Sequence, residues 1–437
     1  MKVNIIGGGP AGCAAAYTLA KEGHEVRLFE ATDAVGGRTR QLRRDGFNLG
    51  TGALFLMGGI YPRTMALLRE MGHIKKLVPW EGASELMDED DSRYSVRLDQ
   101  ISSFAKVPTL KSIDRLRLLA TSMRLFFSPG AKNPFNGSQL AVFDRGENLE
   151  DWSRKHLGAR VYEYVMRPIM DFLYAVPLRQ LSTPFPKAFI KQAHKISLST
   201  PPQGIGQIND WLLEHMPPEN VHLSAPVERI ARDGDGWQVY VNGHAFKGDA
   251  VVIATEAFVA AGLLQDLISV DTYQRLMDTP YTEYAHVAVA YEEDPWPDYP
   301  ADIILPVGVE GERDVGAMVL HGRRSPASVP DGAQLVGVYF NTPPLAHMSD
   351  EDIKNQAVKQ VNAAFGQAPP PQFVHLFRYE KGLTIAKPGH YQRLDKVHDL
   401  LPPNIRLAGD YFSQAGVEAA IYSGERAAND ILKSHAP

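Results

Sequence analysis

The chain begins with the strand-like run Val3-Asn4-Ile5-Ile6, passes straight into Gly7-x-Gly9-x-x-Gly12, and continues as the helix-forming stretch AGCAAAYTLAKEG. No other feature narrows the possible folds as much. The first glycine permits a tight turn, the second lets a pyrophosphate approach the backbone, and the third lets the helix pack close to the strand. A helix starting there presents free N–H groups and the positive end of its dipole to a phosphate. The next strand-like run, HEVRLFE, ends at Glu30, 30 − 12 = 18 residues after the third glycine. That is close to the offset at which a carboxylate meets the ribose of a dinucleotide. An acid at this point accepts from both ribose hydroxyls and repels a 2′-phosphate, which favours FAD or NAD over NADP.

Composition removes several other classes. With 437 residues, 44% hydrophobic and 22% charged, the chain suits a soluble globular protein of roughly two to three domains. Lys+Arg minus Asp+Glu is 45 − 51 = −6, too even for a protein that binds nucleic acid by neutralising phosphates. The single cysteine, Cys13, excludes an intramolecular disulfide, a CxxC redox pair and a multi-cysteine metal site. No HExxH, EF-hand or GxSxG spacing occurs, so no metal site or serine nucleophile is expected. The N-terminus lacks a signal-peptide apolar region. The longest apolar stretch, from Val251, carries Glu256, Gln265 and Asp266 and reads as a buried strand followed by a helix. Cytoplasmic residence is the simplest expectation.

Texture divides the rest. Residues 83–203 are helical and loop-rich, with LKSIDRLRLLATSMRLFF and RVYEYVMRPIMDFLY showing helical apolar spacing. Strands return in 204–278, with turn signals at Asp233-Gly234 and Asn242-Gly243. Residues 279–390 mix strands such as AHVAVAYEE with a helix near DEDIKNQAVKQVNAAFG, and 391–437 close on a further helix. The run from Lys111 to Phe127 combines Lys111, Arg115, Arg117 and Arg124 with leucines and aromatics. Such a helix can lie on a membrane or cap a substrate domain, and the cap is the reading preferred here.

After Glu30 comes ATDAVGGRTR, in which Gly36 and Gly37 turn the chain and Arg38 can reach phosphate oxygens. A GGR element following a dinucleotide-binding opening resembles the flavin-containing amine oxidase superfamily, which includes monoamine oxidases, protoporphyrinogen oxidases and phytoene desaturases. The closing stretch IRLAGDYFSQAGVEAAIYSGERAAND is similar to that family's last motif, and PPQGIGQINDWLLEHM with VHLSAPVERI resembles a third block. The resemblance implies FAD as cofactor, bound by Gly7, Gly9, Gly12, Glu30, Gly37 and Arg38. It also implies that Val227 contacts FAD through its backbone, that Gly409 contributes to the FAD site and Asp410 binds the ribityl chain, and that Gly416 and Val417 open a helix aimed at the flavin. The implied fold is α/β: a Rossmann-like FAD-binding domain (1–82, 204–278, 391–437) interleaved with a substrate domain of mixed β-sheet (279–390) and helical cap (83–203).

The expected activity is oxidation of an organic small molecule, dehydrogenating a C–N or C–C bond by hydride transfer to flavin N5. No second dinucleotide fingerprint appears, so electrons are expected to leave to dioxygen, a quinone or another diffusible acceptor. On the substrate side the pattern departs from the amine oxidases. His286 stands where they carry a lysine, and there it could orient a water, polarise substrate, act as a base, or simply pack on the strand. Gly416 replaces one wall of their aromatic cage, which leaves room for a larger or flatter substrate. Tyr379 falls where relatives place an aromatic beside the flavin, with Lys381 two residues on. MRPIMDFLYAVPLRQLS looks most like the porphyrinogen oxidase and desaturase side, so a desaturase or isomerase of a polyene or tetrapyrrole is the alternative. Prenyl-protein escort proteins, which resemble this fold without using flavin, supply a non-catalytic alternative.

Overall fold

The N-terminal apolar run forms strand β1 (Lys2–Ile6), the small-residue stretch forms helix α1 (Pro10–Lys21), and the next run forms strand β2 (Glu25–Phe29). The computed structural model describes residues 1–80, 82–307, 314–341 and 345–435. Pro10 suits the first helical position, where its missing N–H would have had no intrahelical partner. Every residue of α1 from Ala11 to Leu19 is buried, and Cys13 packs there as a small residue, its thiol donating to the Gly8 carbonyl at 3.3 Å.

β1 pairs in parallel with β2 on one edge and with Ala250–Ile253 on the other; Ile405–Leu407 and Val221–His222 extend the two sides into a five-stranded parallel sheet. Parallel strands covered on both faces read as continuous apolar runs, and Ala250-Val251-Val252-Ile253 is buried throughout. Val227–Asp233, Gly236–Val241 and His244–Gly248 form a separate antiparallel sheet. At its second turn Asn242 and Gly243 both take positive φ, 50° and 75°, as a two-residue I′ hairpin requires.

A seven-stranded mixed sheet forms the other large layer, in the order Phe373–Thr384, Tyr281–Tyr291, Gln334–Phe340, Val315–Leu320, Ala301–Pro306, Ala83–Met87, Arg93–Val96. Its last two strands come from the stretch read as helix and loop. At five and four residues they are too short for alternation to stand out, and pairing with Ala301–Pro306 fixes them. Helix α2 (Pro62–Glu70) precedes these two strands, and α3 (Ser112–Phe127), Arg167–Tyr174 and Pro184–Gln192 follow them. The architecture is α/β. Among the described residues no helix is long and apolar enough to cross a membrane.

The C-terminal helix Val417–Ser434 packs along α1. Gly424 lies against the Ala11 carbonyl so closely that a Cβ would collide with that oxygen. Because the obstacle is backbone, Gly424→Ala is expected to lower stability by about 1–3 kcal/mol, the usual cost of overpacking. A urea midpoint equal to that of the parent would show that the two helices separate without cost.

Candidate cofactor and active site

The parallel strands all deliver their carboxyl ends to one cavity of about 680 Å³. Gly7 follows β1, Glu30 follows β2, Ala254 and Thr255 follow Ala250–Ile253, and Gly409 and Asp410 follow Ile405–Leu407; all six line it. Ligands of open parallel sheets bind beyond these ends. The glycine turn is tightly packed on one side and open on the other. Gly7 has φ +101°, with the Ala254 carbonyl where a Cβ would point, and a Cβ on Gly12 would collide with the Gly7 carbonyl. At Gly9, by contrast, a Cβ meets nothing within 4 Å. Gly9 caps α1 without any side-chain hydrogen bond, so first-turn N–H groups that a helix cannot satisfy internally stand at the cavity wall.

Glu30 is buried and accepts from Gly8 N at 2.7 Å, Thr32 N at 2.9 Å and Thr32 Oγ1 at 2.8 Å. Its position is therefore fixed in advance. Arg38 donates to Asp410 Oδ1 and to the Gly382 carbonyl, each at 2.9 Å. That pair joins the N-terminal turn to the C-terminal segment. Gly37, Val227, Gly416 and Val417 also line the cavity, and Gly416 precedes the C-terminal helix with no side-chain cap. A cavity with an uncapped helix start and a carboxylate at one part, and a second uncapped helix start at another, could hold a dinucleotide whose ring takes on negative charge. Of the cofactor-binding and catalytic candidates read from the sequence, Gly12 and His286 do not line it.

Part of the cavity wall is aromatic and apolar. Tyr284, Tyr339, Tyr379 and Leu383 come from the seven-stranded sheet, Phe172 and Tyr174 from Arg167–Tyr174, and Phe55 from the loop before α2. Tyr284 and Tyr379 face each other in register. The Pro-bearing motif folds as expected from its sequence: Pro168 sits in the first turn, and Ala175 ends the helix in the left-handed region at φ 52°.

His286 is 2% exposed and stacks on Tyr339 at 4.5 Å between ring centroids. Burial, with smaller contributions from His321 and His375, holds its pKa well below the usual histidine range. A neutral ring behind Tyr339 is what the structure places at this position. Tyr339 does line the cavity; its hydroxyl lies 3.1 Å from His321 Nε2, and burial pushes His321 down to about 4. Sequence reading missed Tyr339 because its strand, Gln334–Phe340, is buried at every position and shows no alternation to mark a face.

Glu418 was also missed. Wholly buried at the start of the C-terminal helix, it accepts from Arg63 N at 2.9 Å, Thr64 N at 2.9 Å and Thr64 Oγ1 at 2.6 Å. It thereby satisfies first-turn donors of α2 beside the cavity-lining Tyr61. Arg63 in turn holds Glu425 through two hydrogen bonds of 2.7 and 2.5 Å.

Residues 10–432 match the family model of the flavin-containing amine oxidoreductases. The chain belongs to that family: it is an FAD-dependent oxidoreductase, and the cavity's donors and glycines fit that cofactor. It is 22% identical to coproporphyrinogen III oxidase of Bacillus subtilis, with 98% of this chain and 97% of that protein covered. A 4,4'-diapophytoene desaturase of Staphylococcus aureus is 47% identical, but over 14% of this chain and 12% of its own. Among solved structures, cyclohexylamine oxidase from Brevibacterium oxydans superposes with TM-score 0.76 at 19% identity, covering 99% of both chains. At that identity the likeness speaks for the fold.

Burial pushes Glu418 up to about 7 from an ordinary 4.5, only partly opposed by its three donors. Between those two values the native chain keeps a proton that the unfolded chain has released. The stability it contributes is therefore present at low pH and falls as pH rises from about 4.5 to about 7. Glu418→Gln is expected to remove this slope, which at about 1.4 kcal/mol per pKa unit amounts to a few kcal/mol. Urea midpoints at acid and alkaline pH check it, and an unchanged slope in the variant would assign the effect elsewhere.

Proposed function

We propose that the protein dehydrogenates a C–N or C–C bond of a largely apolar, ring-bearing organic molecule, with FAD held by the carboxyl-end residues of the parallel sheet. The aromatic wall carries this reading: Phe55, Phe172, Tyr174, Tyr284, Tyr339 and Tyr379 share one cavity with the glycine turn. Gly7, Gly9 and the start of α1 would receive the pyrophosphate and Glu30 the adenosine ribose. Arg38 and Asp410 would stand by the middle of the cofactor, and Gly416 and Val417 by its ring, with Gly12, Gly37, Val227 and Gly409 shaping the passage. The division into an FAD-binding domain built from three chain segments and a substrate domain built from the other two belongs to the same proposal.

The chemistry FAD supplies when bound is two-electron oxidation, with a hydride passing to N5 and the electrons leaving to dioxygen or another diffusible acceptor. The chain's residues provide orientation and a dry surround. Aromatic faces on several sides favour a flat substrate and exclude water. In the His321 tautomer that leaves Nε2 unprotonated, the Tyr339 hydroxyl would donate to it and its oxygen would stay able to accept from a substrate N–H. His286 supports the Tyr339 ring and needs no proton transfer of its own.

Anaerobic bleaching of the flavin by a panel of small amines, amino acids, pyrrolines, polyenes and porphyrinogens tests the substrate class. Flat apolar candidates should reduce the flavin and small charged amines should not; the reverse order would overturn the reading. A preparation that stayed colourless after incubation with FAD would remove its basis. His286→Ala is expected to lower the melting temperature by removing a packed ring, and to leave the pH dependence of flavin reduction unchanged. A displaced pH profile would give the imidazole a part in proton transfer.

A further inference from the structure

We propose that α3 docks the protein on an anionic membrane surface, its outer apolar stripe entering the acyl region and its basic edges meeting lipid phosphates. Helices of soluble proteins turn their apolar stripe inward, and α3 does so only in part. Leu118 and Leu125 pack on the core and Thr121 donates to the His156 carbonyl at 3.1 Å. On the opposite side Ile113, Leu116, Leu119 and Phe127 are 50%, 59%, 60% and 75% exposed, with Met123 and Phe126 beside them. At 3.6 residues per turn these side chains fall on one face, and they form the largest group of exposed apolar side chains among the described residues. A contiguous exposed patch of this kind marks an interaction site.

The charges beside the stripe identify the partner. Arg117 and Arg124, seven positions apart, run along one edge, and Lys111 and Arg115 along the other. Among the described residues none of the four makes an ion pair with an acid. From Lys106 to Lys132 the chain has six basic residues and one acid, Asp114, which is buried, although the whole protein carries −6. Apolar centre, basic flanks and long side chains able to reach phosphates are the features of a helix lying in a bilayer interface. A second copy would bring the same positive charge against this one. The segment after α3 runs to Phe135, which lines the cavity. The docking face does not depend on which bond the enzyme oxidises.

Flotation of the flavin-loaded enzyme with vesicles decides the matter, with flavin absorbance reporting folded protein. The enzyme is expected to float with vesicles of phosphatidylcholine and phosphatidylglycerol in equal parts, about tenfold or more better than with phosphatidylcholine alone, and to be released by salt. The doubly substituted Leu116→Asp, Phe127→Asp enzyme should lose about tenfold or more of that binding with an unchanged flavin spectrum. Arg117→Glu with Arg124→Glu should abolish the preference for the anionic lipid. Failure of the parent to float with the mixed vesicles, or equal flotation of the Asp variant, would overturn the proposal. So would a dimer in sedimentation velocity that those substitutions dissolve, since that outcome assigns the stripe to a second copy.

Discussion

Close backbone approach at a few glycines is the constraint on which the molecule depends. Gly7 abuts the Ala254 carbonyl, Gly12 abuts the Gly7 carbonyl, and Gly424 abuts that of Ala11. These contacts draw β1, its neighbouring strand, α1 and the C-terminal helix to distances that no side chain would allow. The open face of the same turn, at Gly9, then stands at the common end of the parallel strands. One set of substitutable atoms therefore sets both the packing of the sheet and helices and the space in front of them.

Buried carboxyl groups close the construction between segments far apart in sequence. Arg38 reaches Asp410, and Glu418 reaches the first turn of α2. The Arg38–Asp410 pair lies on the cavity wall, where Asp410 is nearly buried and Arg38 about three-tenths exposed. Removing one partner would leave a carboxylate in a place of low polarity, which costs more than the pair contributes when intact. The guanidinium expected at a phosphate is thus already engaged with a side chain and a carbonyl, and its geometry is set by them.

Much of the glycine-turn side of the cavity was legible because its signals are local. Gly7, Gly9 and Glu30 are tied to a turn and a strand end, and Asn242-Gly243 carries its hairpin in two φ values. The aromatic side was less legible because its residues meet through long-range pairing. Helical spacing in α3 predicted an apolar stripe, yet spacing alone does not say which face turns inward. Leu118 and Leu125, on the narrower face, are the ones that do.

The reading of His286 shows where strand reasoning ends. Tyr284 and His286 are two positions apart and so share a face, and Tyr284 does line the cavity. His286, however, is directly opposite Tyr339 on the neighbouring strand. Side chains opposite one another in an antiparallel pair are the closest of all cross-strand neighbours, and here the longer ring lies over the shorter, nearly parallel to it at 13°. The resemblance put His286 where relatives carry a lysine, and the partner strand determines which side chain forms the surface there. Tyr339, whose hydroxyl lies 3.1 Å from His321 Nε2, is what lines the cavity at that point, while the His286 ring is buried beside it.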